Sequence, residues 1–211
     1  KVYELINELA LPKTHSVLPA VEVDIVNGKL TNVLSGGAVF NKDKLVGFLN
    51  DEDILPYLFI KNEVKGGLIN VKVEELPRDT AILEIFNSKT KLKPIYNEND
   101  ISFDIDIYTE VNIGELNTEI DYISEPGRYI LKKLTENKLK NEIEAVIEKM
   151  QKQFGLDIFG FGNVIRQRNP QLWKTIEEDW DSIFKDLDVN VNCDIHIINS
   201  GHFSKPIEVF R

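Results

Sequence analysis

The sequence is poor in the residues from which compact catalytic and metal centres are most often assembled. It has one cysteine, Cys193, so no disulfide can close within the chain. Histidine occurs three times, at His15, His196 and His202, and none stands in an H-E-x-x-H or other zinc-binding spacing. No G-x-S-x-G elbow is present. No run approaches the ~18 consecutive apolar residues that a membrane-spanning helix needs. Basic residues are also in deficit, with 25 Lys and Arg against 35 Asp and Glu, for a net charge of −10. A surface that holds nucleic acid needs clustered cations, so nucleic acid is excluded as an expected partner. An anionic membrane surface is no better matched, and the acidity reads as solubility.

What remains suits a globular protein. The 211 residues are 42% hydrophobic and 28% charged, enough apolar material for a sizeable core without metal or disulfide staples. The chain opens on "KVYELINELA", without Met and without a charged-then-apolar leader. The expectation is a cut inside a longer protein, with residues 1–20 the tail of a preceding domain and residues 21–211 one domain.

The first two-thirds reads as strands. "AVEVDIV" alternates and runs into Asn27-Gly28-Lys29, a strong hairpin turn. "LTNVLSGGAVF", a turn at "NKDK" and "LVGFLN" follow. At Ser35–Gly37 the glycines imply close backbone approach in a sheet. A short helix is predicted over Asp51–Lys61, capped by Asp51 or Asp53, which Pro56 limits or kinks unless it lies in the first turn. "LINVKVEE" is the next strand, and its Glu74 and Glu75 point to opposite faces. "TAILEIFNSKTKLKPIY" and "ISFDIDIYTEV" form a long hairpin centred between Glu98 and Asn99. That register sets Lys93 opposite Asp104, Lys91 opposite Asp106, Leu92 opposite Ile105 and Pro94 opposite Phe103.

The last third reads as helix. Ile130, Leu134, Leu139, Ile143, Val146, Ile147, Met150 and Phe154 form one apolar stripe that Gly155 terminates. Asp157 is expected to cap a short helix through Ile165. Asn169-Pro170 starts another, with Leu172, Trp173, Ile176, Trp180, Ile183 and Phe184 on its apolar face. A closing strand, "VNVNCDIHII", returns to the sheet. Its Cys193 lies on the buried face and His196 on the opposite one, which argues against a thiolate–imidazole pair. The fold class is α+β: a mainly antiparallel β-sheet packed against a long helix and two shorter C-terminal helices.

Three features could carry chemistry. Gly155, Gly160 and Gly162 fall within eight residues. A phosphate loop needs a strand before it and a Lys after its last Gly, whereas here a helix precedes and Asn163 follows. A dinucleotide fingerprint needs a third Gly where Ile165 stands. The segment reads instead as a joint between helices, its glycines allowing left-handed backbone or tight packing near Phe159 and Phe161. Asp104 and Asp106 share one strand face, as a glycosidase or metal pair would, and give the alternative reading of a small-ligand-binding or hydrolytic envelope domain. Their lysine neighbours favour a solvated charge ladder. Arg166, Arg168 and Lys174 form a candidate basic spot for an acidic patch on a partner protein, or an exposed helix face.

Two stretches carry a resemblance. "GGAVFNKDKLVGFLNDED", Gly36 to Asp53, resembles the opening of the C-terminal domain of the spore germination receptor C-subunit family, the Ger(x)C lipoproteins of spore-forming Firmicutes. Gly37, Ala38, Val39, Phe40, Lys44, Leu45, Val46 and Gly47 stand in the pattern. "QKQFGLDIFGFGNVIRQRNPQLW" resembles the second signature through Gln151, Asp157, Gly160, Gly162, Pro170 and Trp173, with Trp180 beyond it. "KTKLKPIY" is similar to the family's central hairpin. The likeness runs from about Gly36 to Gly201. The family's N-terminal domain and lipid-bearing cysteine are not in this chain, and Cys193, inside a late strand, is not that cysteine. The resemblance implies a role without catalysis, cofactor or metal. It implies a lipid-anchored component at the spore inner membrane, acting with integral-membrane A and B subunits in the response to nutrients such as amino acids or sugars.

Overall fold

A computed structural model describes residues 15–73, 76–97, 100–118 and 120–199. Two sheets are present rather than one. The first joins β1 (His15–Val26), β2 (Lys29–Asn41) and β3 (Lys44–Leu49) in that order, all antiparallel. Asn27 and Gly28 both take positive φ, 52° and 75°, which a tight two-residue hairpin turn requires. The second sheet joins β4 (Leu68–Val73), β5 (Leu76–Asn97), β6 (Asp100–Asn117) and β7 (Asp188–Asn199). Both long strands carry register shifts where bulges absorb their twist.

The β5–β6 register is the expected one, pairing Lys93 with Asp104, Lys91 with Asp106, Leu92 with Ile105 and Pro94 with Phe103. Its turn at Glu98 and Asn99, like Glu74, Glu75 and His202, lies outside the described residues. Strict alternation puts Phe103, Ile105, Ile107, Val111 and Ile113 into the core, each essentially inaccessible. Burial of such a side chain contributes about 1.5–3 kcal/mol. β7 adds to β6 in parallel, so every helix after β6 lies within one crossover connection.

α1 (Asp51–Ile60) links the two sheets, packing on β2, β3 and β5. Its cap is Asn50, not Asp51 or Asp53; Asp53 sits at the third helical position and accepts from the Asn50 backbone N–H at 2.9 Å. Pro56 lies inside the helix rather than in its first turn, and is buried. α2 (Gly127–Lys149) crosses the second sheet from β4 to β7 and packs on α1. Leu131 is buried and Ile130 is 46% exposed, so the stripe starts one residue later than expected. A π-helical turn, Met150–Phe154, extends α2 to Gly155. The Gly155 N–H donates to Met150 O at 2.7 Å, and its φ of 62° ends the helix as the sequence implied.

Three short helices follow rather than two: α3 (Phe161–Arg168), α4 (Pro170–Ile176) and α5 (Trp180–Lys185). The Asn169 side chain caps α4 by accepting from Leu172 N at 3.1 Å, with Pro170 at the first helical position. The face expected for one helix is shared between α4 and α5. His15 is buried in β1, 3.9 Å from an Asp181 carboxylate oxygen of α5, and so ties the first sheet to the last helix.

Candidate functional site

The glycine-rich segment folds around one carboxyl group. Asp157 is 4% exposed. Its Oδ1 accepts from the backbone N–H of Gly160 at 2.8 Å and Phe161 at 3.1 Å. Its Oδ2 accepts from the Gly162 N–H at 2.8 Å and from Trp180 Nε1 at 3.1 Å. Asp157 thus caps the following helix as expected, but from outside the cap position. It lies four residues before α3, whose cap position is Gly160, and satisfies the orphan amides of that helix start from a distance. The amides that would cradle a phosphate are thus already occupied by a side chain of the chain itself.

The glycines divide the work. Gly160 has φ 89°, and a Cβ there would meet nothing within 4 Å, so its role is left-handed backbone and not tight packing. Gly162 has ordinary φ, but a Cβ there would stand 2.7 Å from Trp180 Nε1 and 2.9 Å from Trp173 Cη2. Those two indoles meet edge-on with centroids 5.6 Å apart. Phe161 stacks on Phe103 of β6 at 4.7 Å, seating the joint on the sheet. Gln151, on the π-helical turn, donates through Nε2 to Phe184 O at 3.0 Å and Leu187 O at 2.8 Å. It thereby satisfies two carbonyls at the end of α5.

The first signature meets the second in space. The face of Gly47 in β3 packs against the Phe154 ring, where a Cβ would collide with it. The Lys149 ammonium bonds the Asp53 carboxylate, and the Tyr57 and Phe159 rings lie 6.3 Å apart. Gly37 approaches Val17 of β1 and Ile54 of α1 so closely that no side chain fits between them. Phe40, opposite Leu45, is half-buried.

The basic spot is less unified. Positions two apart on a helix diverge by about 200°, so Arg166 and Arg168 point differently. Arg166 is turned onto Asn163 Oδ1, donating from Nε at 3.2 Å and Nη2 at 2.9 Å. Arg168 and Lys174 are exposed. Beside them an open cleft of about 730 Å³ runs between the β5–β6 tip and α4–α5, floored by Tyr96, Ile101, Leu172, Ile176 and Ile183. Burial raises the Tyr96 phenol above its ordinary value, and nearby Arg168 opposes that shift.

Asp104 and Asp106 sit on the open face of the second sheet. Asp104 accepts from Asn190 Nδ2 at 3.1 Å and Asp106 from Asn192 Nδ2 at 3.2 Å. The ion pair is diagonal: Lys93, opposite Asp104 in register, bonds Asp106 instead. That hydrogen bond from Lys93 holds the Asp106 carboxyl below its ordinary value, with Asn192 adding to the effect and partial burial opposing it. An ionised carboxylate bound to lysine is poorly placed to donate a proton. Burial pushes the Cys193 thiol up to about 12, and His196 faces the other side, bonded to Asp194 at 2.8 Å. Among the described residues no group of three His, Cys, Asp or Glu could hold a metal ion, and no helix is long and apolar enough to cross a membrane.

The sequence pointed to the joint through its glycines but did not reveal Asp157 as its centre. The reciprocal Asn50–Asp53 cap and the Gln151 contacts were likewise missed. The signal available for Asp157 was an acidic residue just ahead of two glycines that open a helix.

The profile of the family described as "Spore germination B3/GerAC like, C-terminal" matches residues 35–201. Spore germination protein YndF of Bacillus subtilis (strain 168) is 28% identical over 169 residues, covering 79% of this chain and 42% of that protein. Spore germination protein B3 of the same organism is 27% identical, covering 77% and 43%. The crystal structure of the GerBC protein superposes with a TM-score of 0.77 at 25% identity, covering 89% of this chain and 57% of that one. The chain spans less than half the length of the curated relatives it matches. With the profile covering most of the chain, the protein belongs to the spore germination B3/GerAC-like C-terminal family.

Proposed function

We propose that this chain is the C-terminal part of a nutrient germinant receptor's C subunit, acting without catalysis alongside integral-membrane A and B subunits. The observation that carries the reading is the fate of the signature residues. Gln151, Asp157, Gly162, Trp173 and Trp180 are used in holding helices together, and none opens onto a cleft with a nucleophile and a base. Relatives named as spore germination proteins support the same reading. In the whole protein an upstream lipid anchor holds the domain at the spore inner membrane, outside the bilayer. Exposed Arg168 and Lys174, with Arg166 beside them, form its contact with an acidic partner surface.

Deleting the gene should abolish the response to one nutrient class and leave nutrient-independent germination intact. Complementation with Arg168→Glu plus Lys174→Glu should restore protein level but not the nutrient response. Normal nutrient germination in the deletion strain, without a paralogue compensating, overturns the receptor role. Full rescue by the charge-reversed protein overturns only the contact surface.

A further inference from the structure

The outer part of the β1–β2 hairpin is amphipathic, yet its apolar face is bare among the described residues. Register pairs Val21 with Leu34, Val23 with Asn32 and Ile25 with Leu30, which sets five aliphatic side chains on one face. Glu22, Asp24, Lys29 and Thr31 occupy the other, together with Val26 and Val33. Alternation of this kind belongs to a strand with one face buried. Here the five aliphatic residues are between 61% and 78% exposed. Nor is the hairpin supported along its edges: β3 pairs only with Gly37–Asn41 of β2, and β1 has no second neighbour among the described strands. A two-stranded ribbon projecting about 20 Å with no covering layer among the described residues is marginal in water, and a contiguous exposed apolar face marks an interaction surface.

The position of the ribbon along the chain identifies its occupant. The family match begins at residue 35, directly after Leu34, and the family is described as C-terminal. Relatives carry more than half their length outside the matched region. The bare ribbon thus lies at the N-terminal border of the matched region.

We propose that the aliphatic face of residues 21–34 seats an apolar surface of a preceding domain, in the polypeptide lying N-terminal to this chain. The hairpin then bridges the two units: its base, His15–Pro19 paired with Gly37–Asn41, belongs to the C-terminal unit, and its outer part lies against the preceding one. This inference rests on the family assignment and is independent of the receptor role. It explains why the ribbon keeps a core-like pattern without a core: its other half lies elsewhere in the longer polypeptide.

Thiol labelling tests it. In a Cys193→Ala background, Val23→Cys and Leu34→Cys report on the aliphatic face and Glu22→Cys on the polar one. Maleimide labelling rates are compared between the 211-residue chain and the longer polypeptide that carries the preceding part. The expected result is at least a tenfold slowing at positions 23 and 34 in the longer form, with position 22 unchanged. Equal rates in both forms overturn the proposal. Slowing already present in the 211-residue chain, together with dimers in sedimentation, overturns it in favour of a second copy as the occupant. Equal slowing at all three positions overturns the assignment to this face.

Discussion

Replacing Asp157 by Asn tests whether one side chain holds the helix joint. Each carboxyl oxygen accepts from two buried N–H groups: Gly160 and Phe161 on Oδ1, Gly162 and Trp180 on Oδ2. An amide offers one acceptor oxygen and an NH2 group that can only donate. Whichever way the substituted amide turned, two buried N–H groups would face its NH2. A buried donor left without a partner costs about 1–3 kcal/mol, so Asp157→Asn should cost about 2–6 kcal/mol at almost unchanged volume. With a urea slope of about 2 kcal/mol per M, the midpoint should fall by about 1–3 M. Tryptophan fluorescence suits the measurement, because the chain's two tryptophans, Trp173 and Trp180, both lie in the joint. Asp104→Asn on the open sheet face, where the carboxylate accepts from Asn190, is the control and should change stability by no more than about 0.5 kcal/mol. A shift of the Asp157→Asn midpoint below about 0.3 M would refute the reasoning, since it would mean that water already serves those amides.

Three further outcomes are expected. Gly162→Ala should cost about 1–3 kcal/mol by overpacking against Trp173 and Trp180 and should alter the near-ultraviolet circular dichroism. Gly160→Ala should cost about 1–2 kcal/mol from left-handed backbone alone, with the aromatic spectrum retained; indistinguishable spectra would contradict this division. Asp194 is bonded by Lys132 at 2.8 Å and then by His196, and these bonds hold its carboxyl below the ordinary value, while Lys132 is raised by Asp194 in turn. The depressed acid stabilises the fold above its unfolded value of 3.8, and that contribution disappears as pH falls through the lower folded value. The raised lysine stabilises it below 10.5, and that contribution disappears as pH rises through the higher folded value. Because Asp194 is more than half exposed, Asp194→Asn should cost no more than about 1 kcal/mol at pH 7, and progressively less as pH falls below 3.8 or in 1 M salt. Urea midpoints across pH check this, and a loss undiminished at pH 2 would disprove it.

What the sequence made legible was local and doubly constrained. The β5–β6 register could be read because Lys91 and Lys93 on one face, and Leu92 and Pro94 on the other, all found sensible partners at a single offset. Asn27-Gly28 and Asn169-Pro170 were readable because few other conformations suit those dipeptides. Helix phase was less secure: Ile130 and Leu131 are adjacent and both apolar, and only the packing partner decides which one turns inward. The direction of β7 was hidden because a parallel neighbour leaves no turn in the sequence to mark it. Asp157 was visible as a residue but not as a centre, because one of its partners, Trp180, lies 23 positions away. The division into two sheets escaped because the alternation of β1 and β2 implies a buried face that these residues do not themselves cover.

The parallel seating of β7 has a consequence for synthesis. β7 runs from Asp188 to Asn199, so the strand that completes the second sheet leaves the ribosome after β6 and every helix between them. Until then the outer edge of β6 has no neighbour, and α2 lacks the strand whose Ile195 amide its Glu136 carboxylate accepts. The nascent domain must therefore wait with an open edge, which is the kind of surface that recruits unwanted strands. Four helices assembled about Asp157 before β7 emerges would shelter that edge and narrow the ways in which the final strand can join.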